Sequence, residues 1–194
     1  MGVDPRTFVK LNVADTCAVW NILSSRLLVA RAIDSGCHFC CTAFVVYECL
    51  HKRRTSMSDV ESMLVARLKK EQSLGRFVGH HLDIDDLNDV EILQQRRRLG
   101  KGELASIAFA KRTGQAFLTD DQRARTLAQS VLKPDAVQTT PHLFGWLMFH
   151  GWIGDSDKDQ IIEEHRSNQR PLGPFFEDVY LTVLQYRAQS FGTI

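Results

Sequence analysis

Phe8-Val-Lys-Leu-Asn-Val-Ala-Asp15-Thr16 is a mostly apolar, β-like stretch that runs into residue types favoured at the start of a helix. Beyond it, Val19, Ile22, Leu23, Leu27 and Ala30 approximate one helical face, so a strand over 8–14 and one helix from 16 to about 32 are predicted. The same step recurs down the chain. A short strand over 37–42 leads into a helix over 43–53. Ser58 with Glu61 three residues on forms a capping box for a helix that ends near Gly75. Residues 77–82 read as a strand, and Asp85 or Asp86 as the cap of a helix to about Arg98. Gly100-Lys101-Gly102 breaks the chain before a helix over 103–112. Residues 115–119 read as strand, Asp120 or Asp121 as the next cap, and 137–139 as a last strand. Strands alternating with helices imply an α/β fold with a parallel sheet of about four or five strands, covered on both faces.

After Pro141 the pattern is wholly helical. Leu143, Phe144, Leu147 and Met148 share a face, as do Phe176, Val179, Tyr180, Val183 and Leu184, and residues 170–174 are the clearest break. The expected organisation is a domain over 1–140 with a helical C-terminal extension over 141–194. At roughly 150 residues per domain, a chain of 194 residues leaves no room for a second enzyme. An apolar fraction of 44% against 24% charged supplies core material and excludes bulk disorder. The net charge of +1 provides no global field for nucleic acid or an anionic membrane, so any such binding is local. No apolar run approaches a membrane span and the N-terminus lacks a leader pattern, which predicts a cytoplasmic protein without membrane association. Five cysteines, three of them crowded at 37, 40 and 41, do not form a secreted disulfide framework.

Acidic residues recur where strands end and helices begin, the place where open parallel sheets bind ligands. Asp15 closes the first strand, Asp120 and Asp121 close the strand over 115–119, and Glu103 opens a helix. Glu48 interrupts the apolar run Phe44-Val-Val-Tyr-Glu48-Cys-Leu50, where a charge requires compensation. Each has a plain structural reading: helix caps for the aspartates, the helix dipole for Glu103, a solvent-facing position for Glu48. Converging carboxylates need protons or cations to coexist, and hard oxygen donors select Mg²⁺ or Mn²⁺.

Four blocks in order, Leu11-Asn-Val-Ala-Asp15-Thr16, Val45-Val-Tyr-Glu48-Cys-Leu50, Leu99-Gly-Lys-Gly-Glu103-Leu-Ala-Ser-Ile-Ala108 and Phe117-Leu-Thr-Asp120-Asp121, resemble the PIN domain nucleases over about residues 7–140. The third block is the most distinctive. The helical extension is similar to the tail of a PIN subgroup described as nucleic-acid-binding. The resemblance implies a three-layer α/β/α fold. It also implies catalytic, metal-binding acids at Asp15, Glu48, Glu103 and one of Asp120 and Asp121, with Thr119-Asp120-Asp121 matching a Thr-x-Asp pattern that favours Asp121. Thr16 and Thr119 take supporting places. A further acid that many relatives carry after this block is absent, since Gln122, Arg123, Ala124 and Arg125 follow; either Asp120 replaces it or one metal site is weaker.

The activity so implied is endoribonucleolytic, leaving a 5′-phosphate and a 3′-hydroxyl, with Mg²⁺ or Mn²⁺ as cofactor, RNA as substrate, an antitoxin protein as partner if the chain is the toxin of a toxin–antitoxin pair, and a homodimer as the assembly. The alternative is a PIN-fold binding or scaffold protein with weak or absent catalysis. Arg96, Arg97, Arg98 and Lys101 before Glu103, and Arg123 and Arg125 after Asp121, are the candidates for phosphate contacts, which give salt-dependent affinity without sequence choice; Arg96 to Arg98 also read as an ordinary cationic helix end. Cys37-His38-Phe39-Cys40-Cys41, with Cys49 and His51, suggests zinc only superficially. Strand alternation places Cys37 and Cys41 on one face and Cys40 on the other. His80, His81 and His142 read as structural or exposed, and Trp146, Phe149 and Trp152 as annex core rather than a base-stacking platform, with Trp152 open to exposure beside Gly151.

Overall fold

The computed structural model describes residues 4–53 and 56–191; the first three residues of the N-terminal stretch read above for a leader lie outside them. Five strands, β1 (Leu11–Ala14), β2 (His38–Thr42), β3 (Val78–His80), β4 (Ala116–Leu118) and β5 (Val137–Gln138), form one sheet in the order β3-β2-β1-β4-β5. Every pairing is parallel. The ten described helices are α1 (Thr16–Ser24), α2 (Arg26–Asp34), α3 (Ala43–Leu50), α4 (Asp59–Ser73), α5 (Ile84–Arg96), α6 (Lys101–Thr113), α7 (Gln122–Gln129), α8 (Thr140–Phe149), α9 (Asp155–Ser167) and α10 (Gly173–Phe191). The expected α/β class and parallel sheet are thus present. No described helix is long and apolar enough to cross a membrane.

The chain divides into two compact units. One comprises residues 9–20 and 38–138 and contains the whole sheet. Its core is made of Val13 and Phe117 from adjacent strands, Leu104, Ile107 and Ala108 from α6, and Ala124, Leu127 and Ala128 from α7. α6 contacts β1, β2 and β4, and its buried face carries the small residues Gly102, Ala105, Ser106, Ala108 and Ala110. Small side chains allow a helix to approach the sheet closely. α5 is fastened to α6 by Asp86, whose fully buried carboxylate accepts both ends of the Arg112 guanidinium at 2.8 and 2.9 Å.

The other unit comprises the described residues 4–8, 21–37 and 139–191. Here α10 packs on α8 and α9, and α2 packs on the same two helices. Phe144 and Phe176 meet at 4.9 Å in its core. The buried His165 of α9 sets Nδ1 at 2.8 Å from the Ile161 carbonyl and Nε2 at 2.8 Å from that of Asn21, while Asn168 donates to the Ser24 carbonyl at 2.8 Å. These side chains reach carbonyls in the last turn of α1, where a helix runs out of its own donors.

Several element boundaries differ from those expected. The single helix over 16–32 is two helices. Ser25 adopts an extended conformation, accepts from the Leu28 N–H at 3.0 Å and donates to Glu164 at 2.5 Å, so a cap interrupts a continuous apolar stripe. The cap of α5 is Asp83, not Asp85 or Asp86; Asp86 reaches back to the Asp83 N–H at 3.1 Å, a complete capping box. α6 starts at Lys101, so Gly102 lies inside the helix and only Gly100 precedes it. β1 starts three residues later than expected, because the Val9 N–H and carbonyl are bound by the Gln138 side chain instead of a strand.

Candidate acidic site

The strand order reverses between β1 and β4: β2 and β3 lie to one side of β1, β4 and β5 to the other. Ligand crevices of open α/β sheets form at such a switch, outside the carboxyl ends of the strands. Asp15 follows β1 and Thr119-Asp120-Asp121 follow β4. The register pairs Ala14 with Leu118, and the Asp15 N–H donates to the Leu118 carbonyl at 3.2 Å, so the two strand ends are held side by side.

Asp15 is buried and caps α1, with Oδ1 accepting from the Ala18 N–H at 2.8 Å and from the Cys17 thiol at 3.1 Å. Its Oδ2 accepts from the Thr119 hydroxyl at 2.5 Å. That hydroxyl oxygen in turn accepts from the Asp121 N–H at 3.1 Å, so Thr119 links the two acidic strand ends. Burial pushes the Asp15 carboxyl up to about 7 against these hydrogen bonds, with the charge of Asp120 adding to the rise. Asp121 is the cap of α7, its Oδ1 accepting from the Arg123 and Ala124 N–H groups at 2.7 and 2.8 Å. Asp120 is half-buried, and its N–H donates to the Cys17 sulfur at 3.3 Å.

Glu48 projects from α3 and accepts from the Thr16 hydroxyl at 2.5 Å. Glu103, in the first turn of α6, accepts from the Gly100 N–H at 2.7 Å. The two carboxylates converge on the turn ahead of α6: a Cβ on Gly100 would lie 3.4 Å from Glu103 Oε2 and 4.0 Å from Glu48 Oε1. Burial first, then the charges of Asp121 and Glu48, raise the Glu103 carboxyl above the ordinary range, against the Gly100 N–H and the Arg123 cation. Gly102 is what lets α6 pass Glu48, since a Cβ there would stand 2.6 Å from Oε2.

Asp15, Thr16, Cys17, Glu48, Gly100 and Glu103 line one cavity of about 440 Å³. Asp120 and Asp121 lie beside it without lining it, coupled to Asp15 and Glu103 through their charges. Among the described residues no three His, Cys, Asp or Glu side chains stand as a ready-made ion site. The donor chemistry nevertheless suits a hard divalent cation. The cavity gathers carboxylate oxygens whose burial and mutual repulsion an ion would offset.

The basic candidates separate. Arg123 donates to the Arg98 carbonyl at 3.1 Å and acts electrostatically on Glu103, whereas Arg125 is bound to Gln122. Arg96 and Arg98 are exposed and Arg97 half-buried, and none of these five arginines is among the residues lining the cavity. Lys52 and Arg53 line it instead. From the sequence they fall inside a helix over 43–53, whereas α3 ends at Leu50 and they follow it. Cys17, which joins Asp15 to Asp120, was not visible in the sequence, because nothing in its spacing marks it. Of the remaining side chains singled out above, His80 stacks on Phe109 at 5.3 Å and His142 sets Nε2 at 2.7 Å from the Thr7 carbonyl. Trp152 is exposed, while Trp146 is buried. All five cysteines are free thiols, with Cys37, Cys41 and Cys49 buried.

The chain matches no protein-family model and no curated protein.

Proposed function

We propose that this chain is a divalent-metal-dependent endoribonuclease of PIN-like, three-layer α/β/α type. The observation that carries the reading is that Asp15, Glu48 and Glu103, from three separate stretches of sequence, line one cavity at the switch point of a parallel sheet. Asp15, Glu48, Glu103 and Asp121 would hold the ion, Mg²⁺ or Mn²⁺. Such an ion would supply Lewis acidity, lowering the pKa of a water and offsetting charge on the leaving oxygen. The chain's own residues do the positioning. Thr119 fixes Asp15, Thr16 fixes Glu48, and the Gly100 N–H fixes Glu103. Lys52 and Arg53, on the cavity wall, would hold the phosphates on either side of the scissile one. As the toxin of a toxin–antitoxin pair, the chain would be silenced by a partner covering this cavity.

The test is cleavage of single-stranded RNA by the purified protein in Mg²⁺ or Mn²⁺. Asp15→Asn and Glu103→Gln are expected to abolish it while leaving the circular dichroism spectrum unchanged. Full activity in either variant removes the mechanism. A second reading, a binding protein that keeps the fold without catalysis, draws on the lack of a ready-made three-residue ion site among the described residues. Calorimetry with Mn²⁺ separates the two: binding that is lost in Asp15→Asn supports the enzyme, and no binding supports the second reading.

A further inference from the structure

Against the acidic cavity lies a second one of about 790 Å³, and the two share Glu48, Lys52 and Gly100. The second is the more apolar of the two. It is walled by Phe44 and Tyr47 from one side of α3, Leu82 from the segment after β3 and Leu87 from α5. Phe44 is 37% exposed, Tyr47 55% and Leu87 43%. Two aromatic side chains are therefore held open to solvent within one helical turn of a carboxylate that lines both cavities. Lys52 and Lys101 stand on the rim, and neither ammonium joins an ion pair among the described residues.

An aromatic floor with a cationic rim is complementary to one kind of polymer, a single nucleic-acid strand, which alternates flat apolar bases with anionic phosphates. A double helix does not fit, because its bases are paired and stacked away from such a pocket. We propose that this cavity receives one unpaired nucleobase, stacked on Tyr47 and Phe44, of the strand whose neighbouring phosphodiester lies at the acids. Lys52 and Lys101 take the flanking phosphates. The proposal rests on the ribonuclease reading for what happens next door, and it makes the substrate single-stranded. Any base has a stacking face, so this contact selects strandedness and not sequence.

Binding is measured apart from cleavage by fluorescence anisotropy of a labelled single-stranded oligoribonucleotide with the full chain in EDTA. Tyr47→Ala is expected to weaken Kd about tenfold, the loss of one base–aromatic stack, with Tyr47→Phe at the wild-type value and the duplex form of the same oligonucleotide bound more weakly than the single strand. In Tyr47→Trp, single-stranded RNA is expected to quench the new fluorescence. Unchanged affinity in Tyr47→Ala, or equal affinity for duplex and single strand, overturns the proposal even if RNA is cleaved in Mn²⁺. Quenching by an acidic amphipathic helical peptide but not by RNA also overturns it, in favour of a protein partner. Tyr47-dependent binding without cleavage in Mn²⁺ sustains it and removes the ribonuclease reading instead.

Discussion

Asp15 shows how one side chain satisfies two demands. It caps α1 and accepts from Thr119, so the local structural reading of this residue is realised, yet it also lines a cavity that it shares with Glu48 and Glu103. An ion that binds the folded chain and not the unfolded one stabilises the fold by mass action, about 2.7 kcal/mol at roughly a hundredfold excess over Kd. For a chain of this size that corresponds to a rise of about 5–10 °C in Tm. Differential scanning calorimetry with and without Mn²⁺ is expected to show this rise in the wild type and to lose it in Asp15→Asn. Equal shifts in the two proteins would place the ion elsewhere. That Asp15, Glu48 and Glu103 are candidates was legible in the sequence because a strand-end aspartate, an acid opening a helix and an acid inside an apolar run stand out, and the structure brings the three to one cavity. Their companions Thr16 and Thr119 were legible only through the resemblance, and Cys17 not at all, since a thiol bridging two aspartates leaves no periodic trace.

Among the elements, α6 is the one whose placement the site depends on. Its small face presses against β1, β2 and β4, and its first turn brings Glu103 beside Glu48. Gly102→Ala would raise helix propensity by about 0.5–1 kcal/mol. The same Cβ would intrude on Glu48 Oε2, 2.6 Å away, and shift that carboxylate out of place. Thermal unfolding is expected to show a stability equal to or above wild type. Cleavage is expected to fall about a hundredfold, the cost of a displacement near 1 Å. A variant as active as wild type would show that the position of Glu48 is immaterial. Gly100-Lys101-Gly102 reads as a break from local propensity, and only Gly100 acts as one. Local propensity cannot distinguish a glycine that ends a helix from one that a neighbouring carboxylate requires. Ser25 is the converse case, where a good cap lay hidden inside an unbroken apolar stripe.

For the molecule as a whole, near-neutral charge limits how the proposed nucleic-acid strand could be held. With a net charge of +1 there is no long-range field, so affinity for such a strand would come from the few cations at the cavities, Lys52, Arg53 and Lys101. About three phosphate contacts to a single strand predict a slope near −2 for the logarithm of the association constant against the logarithm of salt concentration. A titration across salt in EDTA measures it, and a much steeper slope would point to a wider cationic track through Arg96, Arg97, Arg98, Arg123 and Arg125. The alternation of strand and helix was readable along the chain because buried parallel strands and amphipathic helices have different periods. The pairing of residues 21–37 with the C-terminal helices in one unit is a long-range fact that no local pattern encodes.

Glu48 is a partition, with a chamber of acids on one side and a more apolar, aromatic one on the other. A small uncharged aromatic compound lodged among Phe44, Tyr47 and Leu87 would push on that partition from behind. If the acids form the proposed nuclease centre, such a compound would inhibit it without a chelating or phosphate-like group.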